Sequence, residues 1–156
     1  MGDTIITSTL DGNVLVVETK DGVLTYDSKF LVAALLIYVA RGSGTIEPEE
    51  SAKMLELIEI HFQLQGAESL ELLTRAMSEM AERPDLGGAL AELGSTLSDQ
   101  EKEDIALMAL KVIAADGRRE VAEMEQFNTA VQAAGISPEI VHRAFDRYFS
   151  ETMPGS

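Results

Sequence analysis

The sequence of 156 residues contains no cysteine and few basic side chains. Without cysteine, the protein has no thiol catalysis, no cysteine-ligated zinc, no iron–sulfur cluster and no disulfide scaffold, a composition more typical of a cytosolic than of a secreted protein. Lys and Arg number 12 against 27 Asp and Glu, which gives a net charge of −15. Phosphate backbones and anionic lipid surfaces repel such a chain. We therefore expect no nucleic-acid partner, and we expect cations or basic proteins to be attracted.

Long hydrophobic runs are also missing. The longest apolar run, Leu31–Ala40, is about half of the roughly 20 residues that a membrane span requires, so it predicts a buried core helix. No Lys or Arg precedes Lys20, and a secretory signal peptide needs a basic start. We expect a cytoplasmic protein that does not insert directly into the membrane.

The first 26 residues differ from the rest of the chain. Short β-favouring runs at residues 4–7, 14–17 and 23–26 are separated by Asp-Gly turn signals. They predict a small antiparallel hairpin or a three-stranded meander, which either covers the helical body or offers an edge strand to a partner. The predicted organisation is a β-rich extension over residues 1–26, a helical domain over 27–153 and a tail over 154–156.

The remainder of the chain has helical periodicity. Asp27 or Ser28 is the expected cap of the first helix, and Ser98 with Glu101 forms a capping box before the fifth. In the third helix we expect four buried side chains: Leu70, Leu73, Met77 and Met80. The pattern predicts an all-α fold of about seven helices, near residues 29–41, 48–63, 68–82, 85–97, 99–115, 119–134 and 138–149.

An internal repeat relates two parts of this helical region. Val32–Glu50 matches Ile105–Glu123 at an offset of 73 residues, so that Gly44 pairs with Gly117. Each copy is a nearly all-apolar helix, a glycine-containing turn and an acidic start to the next helix. Because a helix that is hydrophobic all round must be enclosed, we expect the two apolar helices to pack against each other at the centre of two related halves.

The two repeated turns, ARGSGTIEPEE over residues 40–50 and IAADGRREVAE over residues 113–123, resemble the TerB tellurite-resistance family, and the resemblance covers about residues 28–149. It implies an all-α bundle of about seven helices that acts without catalysis as a scaffold in tellurite-type stress responses. It also implies binding of calcium or another divalent cation, and protein partners in membrane-associated complexes near the inner membrane face. Two places depart from the family pattern: Ser43 replaces an acid, and Val121 replaces the usual proline beside Arg118 and Arg119.

The acidic helix starts are the candidate metal ligands. A hard cation such as calcium takes six to eight oxygen ligands, some of them from backbone carbonyls. The alternative is that these acids only complement the positive ends of helices and solvate the surface. The candidate residues are Glu47, Glu50, Asp116, Glu120 and Glu123.

No catalytic constellation is visible in the sequence. His61 and His142 lie on different predicted helices without zinc-site spacing, and no nucleophile motif accompanies them. The seven methionines fall at positions expected to face the core. We predict a non-enzymatic interaction or scaffold module. The alternative is a helical bundle that binds a small molecule or lipid between its two apolar helices.

Overall fold

The structure is a computed structural model that describes residues 5–12, 14–41, 46–82, 91–115 and 121–152. Within these ranges the chain forms a small sheet followed by helices, which confirms the predicted fold class. The strands are β1 (Ile5–Asp11), β2 (Val14–Thr19) and β3 (Gly22–Tyr26). The α-helices are α1 (Ser28–Ala40), α2 (Pro48–Phe62), α3 (Gly66–Glu82), α4 (Asp99–Ala114), α5 (Val121–Ala133) and α6 (Pro138–Thr152), with a 3₁₀ helix at Ala91–Thr96.

The three strands form an antiparallel meander in the order β1-β2-β3. Gly22, the first residue of β3, directly follows the tight turn from β2 and adopts a positive φ of 135°, a conformation that glycine permits. The inner face of the sheet carries Leu15, Val17 and Tyr26, which are buried in the same core as the helices. Because β3 contacts α1 and β2 contacts the 3₁₀ helix, the sheet covers one side of the helical body.

Helices α1 and α4 occupy the centre of the molecule. Asp27 caps α1 by accepting a hydrogen bond from the Phe30 backbone N–H at 3.2 Å. Every residue from Phe30 to Ile37 is buried, as is every residue from Ile105 to Leu110, and the two helices contact each other. Ser98 and Glu101 form the predicted capping box at the start of α4.

The bounds and contacts of the helices follow the spacing of the sequence repeat. α2 begins at Pro48 and α5 begins 73 residues later, at Val121. α1 contacts α3 and α5, and α4 makes the reciprocal contacts with α6 and α2. These are the contacts that two related halves require, and the repeat itself stays a prediction from the sequence.

The predicted fourth helix differs from the observed segment. Its described part is a 3₁₀ helix, Ala91–Thr96, and residues 83–90 lie outside the described residues. Gly94 packs so closely on the Ala134 backbone carbonyl that a Cβ atom there would overlap it. We attribute the short 3₁₀ form to this contact, together with the low helix propensity of glycine.

The predicted burial in α3 was wrong at two of four positions. Leu73 is buried and Met80 is half-buried, but Leu70 is 56% exposed and Met77 is 42% exposed. The helix packs instead through Ser69, Leu73 and Ala76, whose short side chains permit a close approach. The apolar arc of α3 is therefore wider than the surface that its neighbours cover.

Candidate functional site

The first acidic corner lies at the start of α2. Pro48 occupies the first helical position, where a missing N–H costs nothing. Glu50 is fully buried, and its Oε1 accepts a hydrogen bond from the Glu47 backbone N–H at 3.1 Å. The structure places Glu47 and Glu50 next to each other. One Glu50 oxygen is bound at the helix start, which is the arrangement that the alternative interpretation of these acids describes.

The second acidic corner cannot be compared with the first. Asp116 and Glu120, and the side chain of Glu123, lie outside the described residues. In the part of the chain that is described, no group of three or more His, Asp or Glu side chains could hold a metal ion. His61 and His142 are both exposed, on α2 and α6 respectively. Cation binding at the second corner therefore stays a prediction.

A charged cluster that sequence reasoning missed joins α4 to α6. Arg147 Nη1 lies 2.9 Å from Glu103 Oε2 and 2.7 Å from Asp104 Oδ1. Arg143 approaches the other Glu103 oxygen at 3.4 Å. The hydrogen bond to Asp104 is the main cause that raises the pKa of Arg147 above the ordinary arginine value. Since Glu103 is nearly buried, this cluster holds two helices together, and its carboxylates are already bound by guanidinium groups.

The most acidic surface is the helical hairpin of α2, α3 and their turn, residues 47–82, which we name the acidic hairpin. It carries nine glutamates, of which Glu50 is buried, against only Lys53 and Arg75, a net charge of −7 out of −15 for the chain. Lys53 pairs with Glu56 at 3.0 Å, and Arg75 lies 3.8 Å from Glu79. The two cations of the hairpin are therefore already engaged by its own carboxylates.

The acidic hairpin also exposes large apolar side chains. Ile60 on α2 is 70% exposed, and Leu70 and Met77 lie seven residues apart on one face of α3. These are three of the six large apolar side chains that are exposed among the described residues. Exposed apolar groups surrounded by charge are typical of surfaces that bind proteins.

Residues 29–146 match the family model described as Tellurite resistance protein TerB. The chain belongs to the TerB family. The match begins in α1 and ends in α6, so it contains five of the six described α-helices whole or nearly so, and it leaves the sheet outside. This confirms the family that the repeated turns predicted. No curated protein and no solved structure matches the chain.

Two cavities in the described part of the chain are candidates for a ligand site. One, of about 220 Å³, lies between α4, α5 and α6. The other is an open groove of about 450 Å³ beside Gly94, Lys102 and Gly135. Residues of α1 line neither cavity, so neither corresponds to the ligand site predicted between the two central helices. No described helix of the TerB domain combines the length and apolar character needed to cross a membrane.

Proposed function

We propose that this TerB-family chain is a non-catalytic interaction domain of a tellurite-type stress response, and that it binds a basic protein partner through its acidic hairpin. The observation that carries the proposal is the coincidence of high negative charge and exposed apolar side chains on α2 and α3. Charge complementarity accelerates encounter and selects the partner, whereas apolar contacts at the centre supply affinity.

The charge of the acidic hairpin supports a basic rather than a neutral partner. Glu49 and Glu71 are exposed, and they lie on different helices of the hairpin. Because Lys53 and Arg75 already lie beside glutamates, the hairpin offers a partner an excess of negative charge. A lipid headgroup surface of the same sign is repelled, so we propose that protein contacts attach the chain to any membrane-associated assembly.

The non-catalytic part of the proposal rests on the charged cluster that joins α4 to α6. Glu103 and Asp104 are bound by Arg147, which leaves them poorly suited to accept a substrate proton. Catalytic acids and bases instead converge on a cleft with shifted pKa values. In the part of the chain that is described, we find a structural ion-pair cluster and no such convergence.

The test is a charge-reversal experiment with matched variants. Glu49→Lys/Glu71→Lys changes the acidic hairpin, and Glu125→Lys/Glu139→Lys makes the same change in net charge on α5 and α6. Glu49 and Glu139 are equivalent in position, since each follows a proline at the start of its helix. We expect cells that lack the native gene to regain tellurite resistance with the control variant but not with the hairpin variant.

Two results would contradict this proposal. Equal rescue by both variants would show that the acidic hairpin is dispensable. Equal failure of both, with urea unfolding showing both proteins folded, would show that total charge rather than a defined surface matters. Circular dichroism of the purified variants checks folding independently of activity.

We also propose that the chain binds a divalent cation, at the second acidic corner rather than at the first. At the first corner, one oxygen of Glu50 is bound to backbone N–H. What supports the second corner is its sequence alone, which places Asp116, Glu120 and Glu123 within eight residues. Calorimetric titration with calcium should give heat that Asp116→Ala/Glu123→Ala abolishes. If the native chain and the double variant give the same heats, calcium binding at this corner is excluded.

A further inference from the structure

Apolar and aromatic side chains line the cavity between α4, α5 and α6. Leu110 and Ile113 of α4 form its buried floor. The other lining residues are Met124 from α5 and Phe145, Tyr148 and Phe149 from α6. None of the described residues that line the cavity is charged, whereas a quarter of the residues in the sequence are charged.

The aromatic rings at this cavity form a connected group. Phe145 stacks on Phe149 with ring centres 6.3 Å apart, and Tyr148 meets Phe149 edge-to-face at 5.6 Å. Phe149 remains 41% exposed, so one ring of the group is open to solvent at the edge of the cavity. Rings and a methionine thioether present polarizable surfaces that bind planar aromatic molecules well.

The corresponding positions in the first half of the chain are filled differently. At the 73-residue offset, the six lining residues correspond to one Ile, one Ser, one Leu, one Arg and two Ala: Ile37, Ala40, Ser51, Leu72, Arg75 and Ala76. No aromatic residue is among them, and Ala40 and Ala76 are fully buried. The first half therefore has no aromatic residue at these six positions, and the rings beside Arg75 come instead from Tyr26 and Phe30.

We propose that this cavity is a binding site for a small, uncharged, planar aromatic molecule. Apolar cavities of about 150 Å³ in proteins are known to hold benzene. A volume of about 220 Å³ leaves room for a somewhat larger ring system, with Phe149 covering its outer side. The site is separate from the acidic hairpin, and the proposal does not depend on the proposed function.

The experiment uses methionine-methyl NMR of the full chain with indole as the probe. Met124 lines the cavity, whereas Met54 is buried on α2 and does not. We expect the Met124 methyl resonance to shift saturably, through the ring current of bound indole, with a Kd of roughly 1 mM or below. The Met54 resonance should stay in place.

A matched pair of variants tests the location of the site. Phe149→Ala removes one aromatic wall at a partly exposed position and should weaken indole binding about threefold to tenfold. Phe62→Ala changes a half-buried phenylalanine on α2 and should leave the Kd unchanged. Cyclohexanol and the anion indole-3-acetate should bind more weakly than indole, because the lining favours flat, uncharged surfaces.

Three results would overturn the proposal. These are no saturable shift of Met124 up to the solubility limit of indole, equal shifts of Met124 and Met54, and the same Kd in both phenylalanine variants. A loss of binding in both variants would also count against it, because the effect would then not belong to the cavity.

Discussion

Replacement of Arg147 by methionine tests the cluster that joins α4 to α6. Methionine keeps much of the length of the side chain and removes only the guanidinium. Glu103, which is 8% exposed, would then retain Arg143 at 3.4 Å as its cationic neighbour, and Asp104 would lose its contact at 2.7 Å. The variant thus leaves the nearly buried carboxylate of Glu103 with less positive charge beside it.

The expected loss lies between two known limits. Exposed ion pairs contribute about 0.2–1 kcal/mol, and removing one partner of a fully buried pair costs about 3–5 kcal/mol. The Arg147 side chain is 38% exposed, so solvent screens part of the interaction. We expect Arg147→Met to lower the free energy of unfolding by about 2 kcal/mol, which corresponds to a Tm decrease of about 4–8 °C for a chain of this size.

A double-mutant cycle measured by urea unfolding isolates the interaction. Glu103→Met should cost less, about 1 kcal/mol, because Arg147 keeps Asp104 as a partner. The double variant should be more stable than the sum of the single effects predicts, with a coupling energy of about 1–2 kcal/mol. Arg143→Met, at a longer distance and greater exposure, is the matched control and should cost less than about 1 kcal/mol.

The pH dependence follows from the raised pKa of Arg147. A cation whose pKa is raised on folding contributes stability that is fully present below its unfolded pKa and is lost only as the pH rises through the folded value. Because an arginine titrates far above neutral pH, the guanidinium contribution to stability should be constant between about pH 6 and 9.

The double-mutant cycle can refute the proposed interaction between Glu103 and Arg147. If the effects of the two single variants add up to that of the double variant within about 0.3 kcal/mol, the two side chains do not stabilise the protein through each other.

Three further changes test the packing and the helix ends. Leu36→Ala, in the centre of α1, should lower the free energy of unfolding by about 2–5 kcal/mol. The control Leu70→Ala, at an exposed position, should change it by less than about 0.5 kcal/mol. Similar losses for both variants in urea unfolding would show that α1 is not the core. Ser98→Ala removes the cap of α4 and should cost about 1 kcal/mol by thermal unfolding, with no loss expected if the cap were unimportant. Gly94→Ala forces a methyl group onto the Ala134 carbonyl and should cost about 1–3 kcal/mol, and a neutral effect would mean that the two segments separate easily.

Local sequence signals predicted the helix starts well. Asp27 and Ser98 cap α1 and α4 as predicted, because capping depends on residues within one helical turn. The two central helices were likewise predictable, since a helix that is apolar on all sides can only be enclosed. α2 ends within one residue of its predicted boundary, at Phe62, where Gln63 adopts a left-handed conformation. α3 begins at Gly66, two residues before its predicted start.

The helical periodicity of the sequence did not predict tertiary contacts. The pattern in α3 located an apolar arc but could not tell how much of that arc its neighbours cover, so Leu70 and Met77 were misassigned to the core. The pairing of Glu103 with Arg147 joins residues 44 positions apart. Neither residue carries a local motif. The 73-residue correspondence gives no signal either, because it places Phe30 and Thr74 at the equivalent positions of the first half.

The sheet has a practical consequence for anyone who divides this protein into fragments. A polypeptide trimmed to residues 29–146 would remove Leu15, Val17 and Tyr26 from the core that they share with the helices, and it would also end one residue before Arg147. Such a fragment would expose the apolar surface that the sheet covers, and it would lack the arginine that binds two carboxylates of α4. Expression boundaries for this chain should follow its packing rather than the limits of family similarity.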